Sequence, residues 1–120
     1  MSESYDLGKY GENKAVDFLL SKGFSILETN WRYNHKEIDI IAEHENKLHI
    51  VEVKIRSSDY WQTSIEVVDT AKQKNLIEAA EAYIEQNNID KCVVFDIVYI
   101  LQNKNQECLE LIQDAFSSYE

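Results

Sequence analysis

The chain has 120 residues, 44% of them apolar, which is enough for one domain with a single core and too little for a second. Twelve Lys and Arg stand against 22 Asp and Glu, for a net charge of −10. A charge of that sign excludes a broad basic surface for polyanions. Its distribution is uneven: residues 75 to 120 hold two basic residues against nine acids, and residues 30 to 74 hold seven against eight. One bound divalent cation would turn that middle section positive. Cys92 and Cys108 match no metal-ligand spacing, so reduced thiols are expected. The opening MSESYDLGKY has no basic region followed by an apolar run, and no segment approaches the roughly 20 apolar residues of a membrane span. The expectation is a soluble cytoplasmic protein that does not enter a membrane.

From Asp6 to Lys22, Ala15, Val16, Leu19 and Leu20 recur at helical spacing, and Gly23 stands where a helix C-terminal glycine belongs. Extending that stripe back by one turn reaches Glu12, which puts a carboxylate on the face turned to the core. At a first helical turn negative charge also suits the helix dipole. Phe24 to Tyr33 is rich in aromatic and β-branched residues and predicts a first strand.

Lys36 to Arg56 predicts two strands joined by a short polar turn. With the turn on Glu45 and Asn46, antiparallel partners have numbers summing to 91, so Ile41 faces Ile50, Asp39 faces Glu52 and Glu37 faces Lys54. An odd-numbered turn would move Glu52 to the other face. Like charges directly opposed repel, so a cation is needed between Asp39 and Glu52. Ile38, Ile40, Val51 and Val53 are expected on one side of the hairpin, with Ile41 and Ile50 on the acidic side. An acidic face that also carries apolar residues is partly covered, and covered unpaired carboxylates are costly.

Ser57 to Ser64 breaks into a polar loop with Tyr60 and Trp61, suited either to stacking on bases or to capping the core edge. Thr70 and Gln73 form a capping-box pattern, opening a helix with Leu76, Ile77, Ala80, Tyr83 and Ile84 at helical spacing and an end at Asn87 and Asn88. Lys72 and Lys74 lie in its first turn, where they oppose the dipole; an anion opposite them, or plain solvation, would account for that. Lys91 to Leu101 is nearly continuous in apolar residues, a buried strand with Asp96 its one charge after Lys91. Asn103 to Gln106 make a turn, and Cys108 to Ile112 a short final strand. A mixed sheet flanked by helices is the simplest packing of this order.

Asp39, Glu52 and Lys54 fall on one surface, because Glu52 and Lys54 are two apart on a strand. Hard oxygen ligands suit Mg²⁺ or Mn²⁺, and a lysine beside them suits metal-assisted phosphodiester hydrolysis. His35, His44 and His49 show no zinc spacing, and His49 alternates away from Glu52 into a structural role. No phosphate loop, dinucleotide fingerprint or nucleophile elbow is present.

These residues resemble the YraN-like family of small bacterial proteins, a branch of the PD-(D/E)XK nuclease superfamily similar in layout to archaeal Holliday junction resolvases. The likeness runs through Gly11, Glu12 and Ala15; Asn30, Trp31 and Arg32; Glu37 to Ala42; Val51 to Lys54 with Arg56; Ala71 to Lys74; and Phe95 to Val98. It implies a restriction-endonuclease-like αβββαβ core, an α/β fold with a mixed central sheet, as a single nuclease-like domain over residues 1–120. The implied catalytic set is Asp39, Glu52 and Lys54, with Glu12 as a helix-borne acid and Asp39 and Glu52 holding Mg²⁺ or Mn²⁺. Lys36, Arg56, Lys72, Lys74 and Arg32 become candidate nucleic-acid contacts. Lys36 stands where the family carries glycine, and Val94 where it carries arginine. The resemblance supplies no substrate of its own; the expectation is a Mg²⁺-dependent nuclease acting on DNA, branched or structured, with RNA still open, and a homodimer follows by analogy. The alternative is a non-catalytic module that keeps the fold and binds nucleic acid or a protein partner, which the charge of −10 and the lost arginine favour.

Overall fold

The computed structural model describes residues 3–57, 69–103 and 105–117. Tyr60 and Trp61, with their choice between stacking and capping, lie outside the described residues.

The elements are α1 (Glu3–Ser21), β1 (Ser25–Tyr33), β2 (Lys36–His44), β3 (Lys47–Ser57), α2 (Thr70–Asn87), β4 (Val93–Gln102) and β5 (Glu107–Phe116). They build the expected α/β architecture, a mixed sheet in the order β1-β2-β3-β4-β5. Only the β3–β4 pair is parallel, which is why α2 must cross between those two strands. Ala15 and Leu19 of α1 pack with Ile40, Ala42, Val51, Val98 and Ile100. Leu76, Ala79, Ala80 and Tyr83 of α2 pack with Ile41, Leu48, Ile50, Phe95 and Ile97 on the opposite face. This two-sided layering is consistent with an αβββαβ core of the restriction-endonuclease kind.

Local chemistry ends each helix where the residues require it. Gly23, at φ +92°, lets its own N–H reach Leu20 O and lets Phe24 N–H reach Leu19 O, both at 3.0 Å. That is a Schellman cap, with buried Phe24 and Leu19 as its apolar pair. Asn88, left-handed at φ 52°, closes α2 in the same way, with Ile89 N–H on Ile84 O. The start of α2 differs from the capping box expected at Thr70. Asp69 is the N-cap, its carboxylate accepting from Lys72 N–H, and Thr70 is the first helical residue. Asp69 wins because a carboxylate answers both the unpaired N–H groups and the dipole.

The β2–β3 turn sits on Glu45 and Asn46, both at positive φ (51° and 65°). Positive φ at both turn residues matches the strand twist. The register therefore has the sum of 91, with Ile41 opposite Ile50 and Ala42 opposite His49. β5 is longer than Cys108 to Ile112, because the turn at Asn103 is closed by its own side chain on the N–H groups of Asn105 and Gln106. The paired edge then runs on to Phe116 opposite Phe95.

Candidate active site

Two features of the backbone create the site. The β2–β3 ladder runs from His44–Lys47 to Ile40–Val51, and beyond it β3 continues in register with β4 through Ser57. The hairpin thus forks just past Ile40. Asp39 and Glu52 stand on its two prongs rather than as ladder partners, while β3 stays paired with β4 on its other edge throughout. The Asp39 Oδ2 spans the opening and accepts from Val53 N–H at 2.8 Å.

The second feature is in β1. Its pairing with β2 passes from Thr29–Ile40 to Trp31–Ile38, and Asn30 between them is left-handed at φ 52°. Asp39, at the same level in β2, is in neither ladder, and across this gap the side-chain alternation reverses in both strands. Ile38 consequently packs on the α2 face with Trp31, instead of with Ile40 and Val51 on the α1 face as the alternation alone predicts. Glu37 is likewise turned away from Lys54: it meets Asn30 and Arg32.

Glu52 faces α2 and is only 6% exposed. Its Oε2 lies 3.4 Å from Lys72 Nζ, and its Oε1 is buried without a hydrogen-bond partner. Burial first, and the Glu52 charge second, push the Asp39 carboxyl up to about 7 from its ordinary 3.8, against the pull of Val53 N–H and Lys72. The two acids therefore repel at close range in a partly desolvated place. Lys54 is half-buried on the Glu52 side of β3, beside Tyr99 of β4. It has no ion-pair partner among the described residues.

On the α1 side the fork opens into a cleft of about 490 Å³ lined by Gly8, Lys9, Glu12, Asn30, Arg32 and Glu37, with Asp39 and Val53 at its floor. Gly11 brings α1 close: a Cβ there would meet the Ile55 side chain at 3.3 Å. That approach carries Glu12 over the fork, where its Oε2 accepts from Asn30 Nδ2 at 2.6 Å and its Oε1 lies 3.6 Å from Lys9. The structure thus brings Glu12 to Asp39 in the cleft and Lys72 to Glu52 on the α2 side, while Lys54 shares a face of β3 with Glu52. Lys74 is exposed on α2, and Arg32 is exposed at the cleft beside Glu37. Arg56 is half-buried with its guanidinium on Ile55 O. Lys36 is drawn away from the fork to Glu78 of α2, 3.3 Å distant.

Asn30 and Glu37 are site residues that strand reading missed. A non-glycine residue able to hold left-handed backbone inside an otherwise β-favouring run is the available signal at Asn30. His49 does take a structural part: its Nδ1 lies 2.6 Å from Asp96 Oδ2, and Asp96 Oδ1 accepts from Asp114 N–H. His44 stacks on Phe24 beside it. Cys92 and Cys108 are free and exposed.

The donor set can be compared with the divalent ion it is expected to hold. Among the described residues no three His, Cys, Asp or Glu side chains converge as a closed ligand group. That argues against a structural zinc. Two carboxylates, one with an unpartnered buried oxygen, fit a hard cation that keeps several waters and takes oxygens from a substrate.

A family model described as uncharacterised protein family UPF0102 matches residues 11–100. A UPF0102 protein of Flavobacterium psychrophilum is 45% identical over 116 residues, covering 97% of this chain and 98% of its own. Similar proteins of Parabacteroides distasonis and Bacteroides thetaiotaomicron are 40% and 42% identical over 116 residues, at 97% of this chain and 96% of theirs. No helix among the described residues is long and apolar enough to cross a membrane.

Proposed function

We propose that this chain, which belongs to the uncharacterised protein family UPF0102, the YraN family, is a metal-dependent endonuclease hydrolysing phosphodiester bonds in DNA, with branched or structured DNA its preferred substrate. The observation that carries this reading is the buried, mutually repelling pair Asp39 and Glu52, with the orphaned Glu52 Oε1 between α2 and the fork. Two neighbouring carboxyls, met only by Lys72 on one and by Val53 N–H on the other, are costly for stability alone, and such pairs cluster at functional sites.

Asp39 and Glu52 are the residues that would hold Mg²⁺ or Mn²⁺, which when bound supplies positive charge at a scissile phosphate and acidifies water. Lys54 presents its ammonium from the Glu52 side of β3, where it would hold a non-bridging phosphate oxygen as charge builds there. Lys72 pairs with the charge of Glu52 at 3.4 Å. Once that charge is met otherwise, its ammonium is available to a neighbouring phosphate. Val53 N–H fixes one Asp39 oxygen and so orients the carboxyl. Glu12, brought over the fork by α1, would orient water or a leaving oxygen on the cleft side.

One observation favours the second reading, a non-catalytic module for nucleic acid or a protein partner. Several basic side chains are occupied within the chain: Lys72 by Glu52, Lys36 by Glu78 and Arg32 by Glu37. Incubation with four-way-junction, single-stranded and duplex DNA in Mg²⁺, Mn²⁺ or EDTA separates the two. The nuclease reading expects metal-dependent cleavage that Lys54→Ala lowers by at least about a hundredfold, in line with loss of one transition-state donor. Absence of both cleavage and metal binding rejects it, and salt-dependent DNA affinity surviving Lys54→Ala without cleavage supports the module.

A further inference from the structure

Asn30 is the one residue of β1 whose conformation and side chain both bear on the site. It lies at the rim of the cleft, between the β1–β2 pairs Thr29–Ile40 and Trp31–Ile38, at the level of Asp39, where the two strands keep their register but leave a gap in the ladder. Its left-handed backbone, φ 52°, would be met at least cost by glycine. Asparagine tolerates it too and adds an amide. Both donors of that amide are used: Nδ2 donates to Glu12 Oε2 at 2.6 Å and to Glu37 Oε2 at 3.1 Å. One neutral donor thus ties an acid of α1 to an acid of β2, side by side, two residues from Asp39. Lys9 and Arg32 flank the pair on the far oxygens, at 3.6 and 3.9 Å.

We propose that Asn30 is a positioning residue, whose side-chain amide holds the Glu12 and Glu37 carboxylates together on the wall of the cleft so that Glu12 faces the water shell of a divalent cation at Asp39 in a fixed orientation. This rests on the nuclease reading above. The contrast is between backbone and side chain. Were Asn30 present only for its left-handed turn, glycine would serve at least as well. If the amide matters, glycine preserves the turn and loses the function. A neutral amide is also the group suited to the task, since a lysine there would compete for the cation's place and a third acid would add repulsion.

The test is Mn²⁺ binding by calorimetry to the full chain as wild type, Asn30→Gly, Glu12→Gln and the double variant. Asn30→Gly is expected to bind Mn²⁺ about tenfold more weakly, as for other groups that orient ligands, and to lose that effect in the Glu12→Gln background. An unchanged affinity, or the same loss with and without Glu12, overturns the proposal. Should Asn30→Gly not fold, the wild-type Asn30 side-chain amide is followed by NMR without metal. Both amide protons should shift on Glu12→Gln and on Glu37→Gln, and insensitivity to both overturns the proposal. A wild type that neither binds Mn²⁺ nor cleaves DNA rejects the nuclease reading and this inference together, whereas a cleaving wild type matched by Asn30→Gly rejects only the inference.

Discussion

At Asp39 the chain carries a carboxyl that folding makes a weaker acid, and that has a definite consequence for stability. Because the folded group, near pH 7, holds its proton more tightly than the unfolded one at 3.8, the folded chain binds more protons across that interval. Metal-free stability should therefore fall as pH rises from about 4 to about 7 and level off above, at roughly 1.4 kcal/mol per unit before relaxation reduces it. Asp39→Asn keeps an acceptor for Val53 N–H and removes the titration. Thermal melts in EDTA at pH 5 and pH 8 should show the difference shrinking in that variant. At pH 8 Asp39→Asn should be the more stable protein and catalytically dead. Asp96 is the opposite kind of buried acid, satisfied by His49 and by Asp114 N–H. Asp96→Ala leaves both without a partner, and a loss of about 3 kcal/mol in denaturant unfolding is the expected cost.

Between elements, the relation that matters is the fork, and it shows what a sequence can reveal. The register of the β2–β3 hairpin was readable, because an even-numbered turn of Glu45 and Asn46 leaves only one way to put Ile41 against Ile50. Where the hairpin stops pairing was not readable: the β2–β3 ladder ends at Ile40–Val51 although β3 runs on beside β4 to Ser57, and the alternation of residues carries no mark of that end. Asp39 and Glu52 therefore approach at an opening, not as ladder partners. The half-turn at Asn30, which sends Ile38 to the other face and Glu37 to the cleft, hid for a related reason. Strand periodicity assumes an unbroken strand, and one left-handed residue inverts it. Two predictions belong here. Replacing Glu45-Asn46 by Asn-Gly suits the positive φ of both positions and should raise the melting temperature by a few degrees with activity unchanged. Inserting one residue between them shifts the register by one and should abolish Mn²⁺ binding even where the circular dichroism spectrum keeps its strand signal.

For the molecule as a whole, the charge of −10 and the local chemistry of the fork pull in different directions. The acids are concentrated on α2 and beyond, while the fork region is close to neutral, so the protein has little general attraction for a polyanion. Under the nuclease proposal, affinity for DNA would come from a few contacts and the cation. Lys9, Arg32, Lys54, Arg56, Lys72 and Lys74 are the basic residues carried by the cleft and by the elements that bear the fork. With about 0.9 released counterions per phosphate contact and six contacts at most, the plot of log affinity against log salt should be no steeper than about −5.4. Binding should also strengthen when Mg²⁺ replaces EDTA, unlike that of a basic DNA-binding protein, which divalent ions weaken.

The most direct test of the central claim is a crystal of the protein soaked in Mn²⁺, with anomalous scattering used to locate the metal. The account predicts a peak at the fork in contact with the Asp39 and Glu52 carboxylates, with Lys72 drawn off Glu52. A fork without a peak at millimolar Mn²⁺, with Lys72 still seated on Glu52, would contradict it.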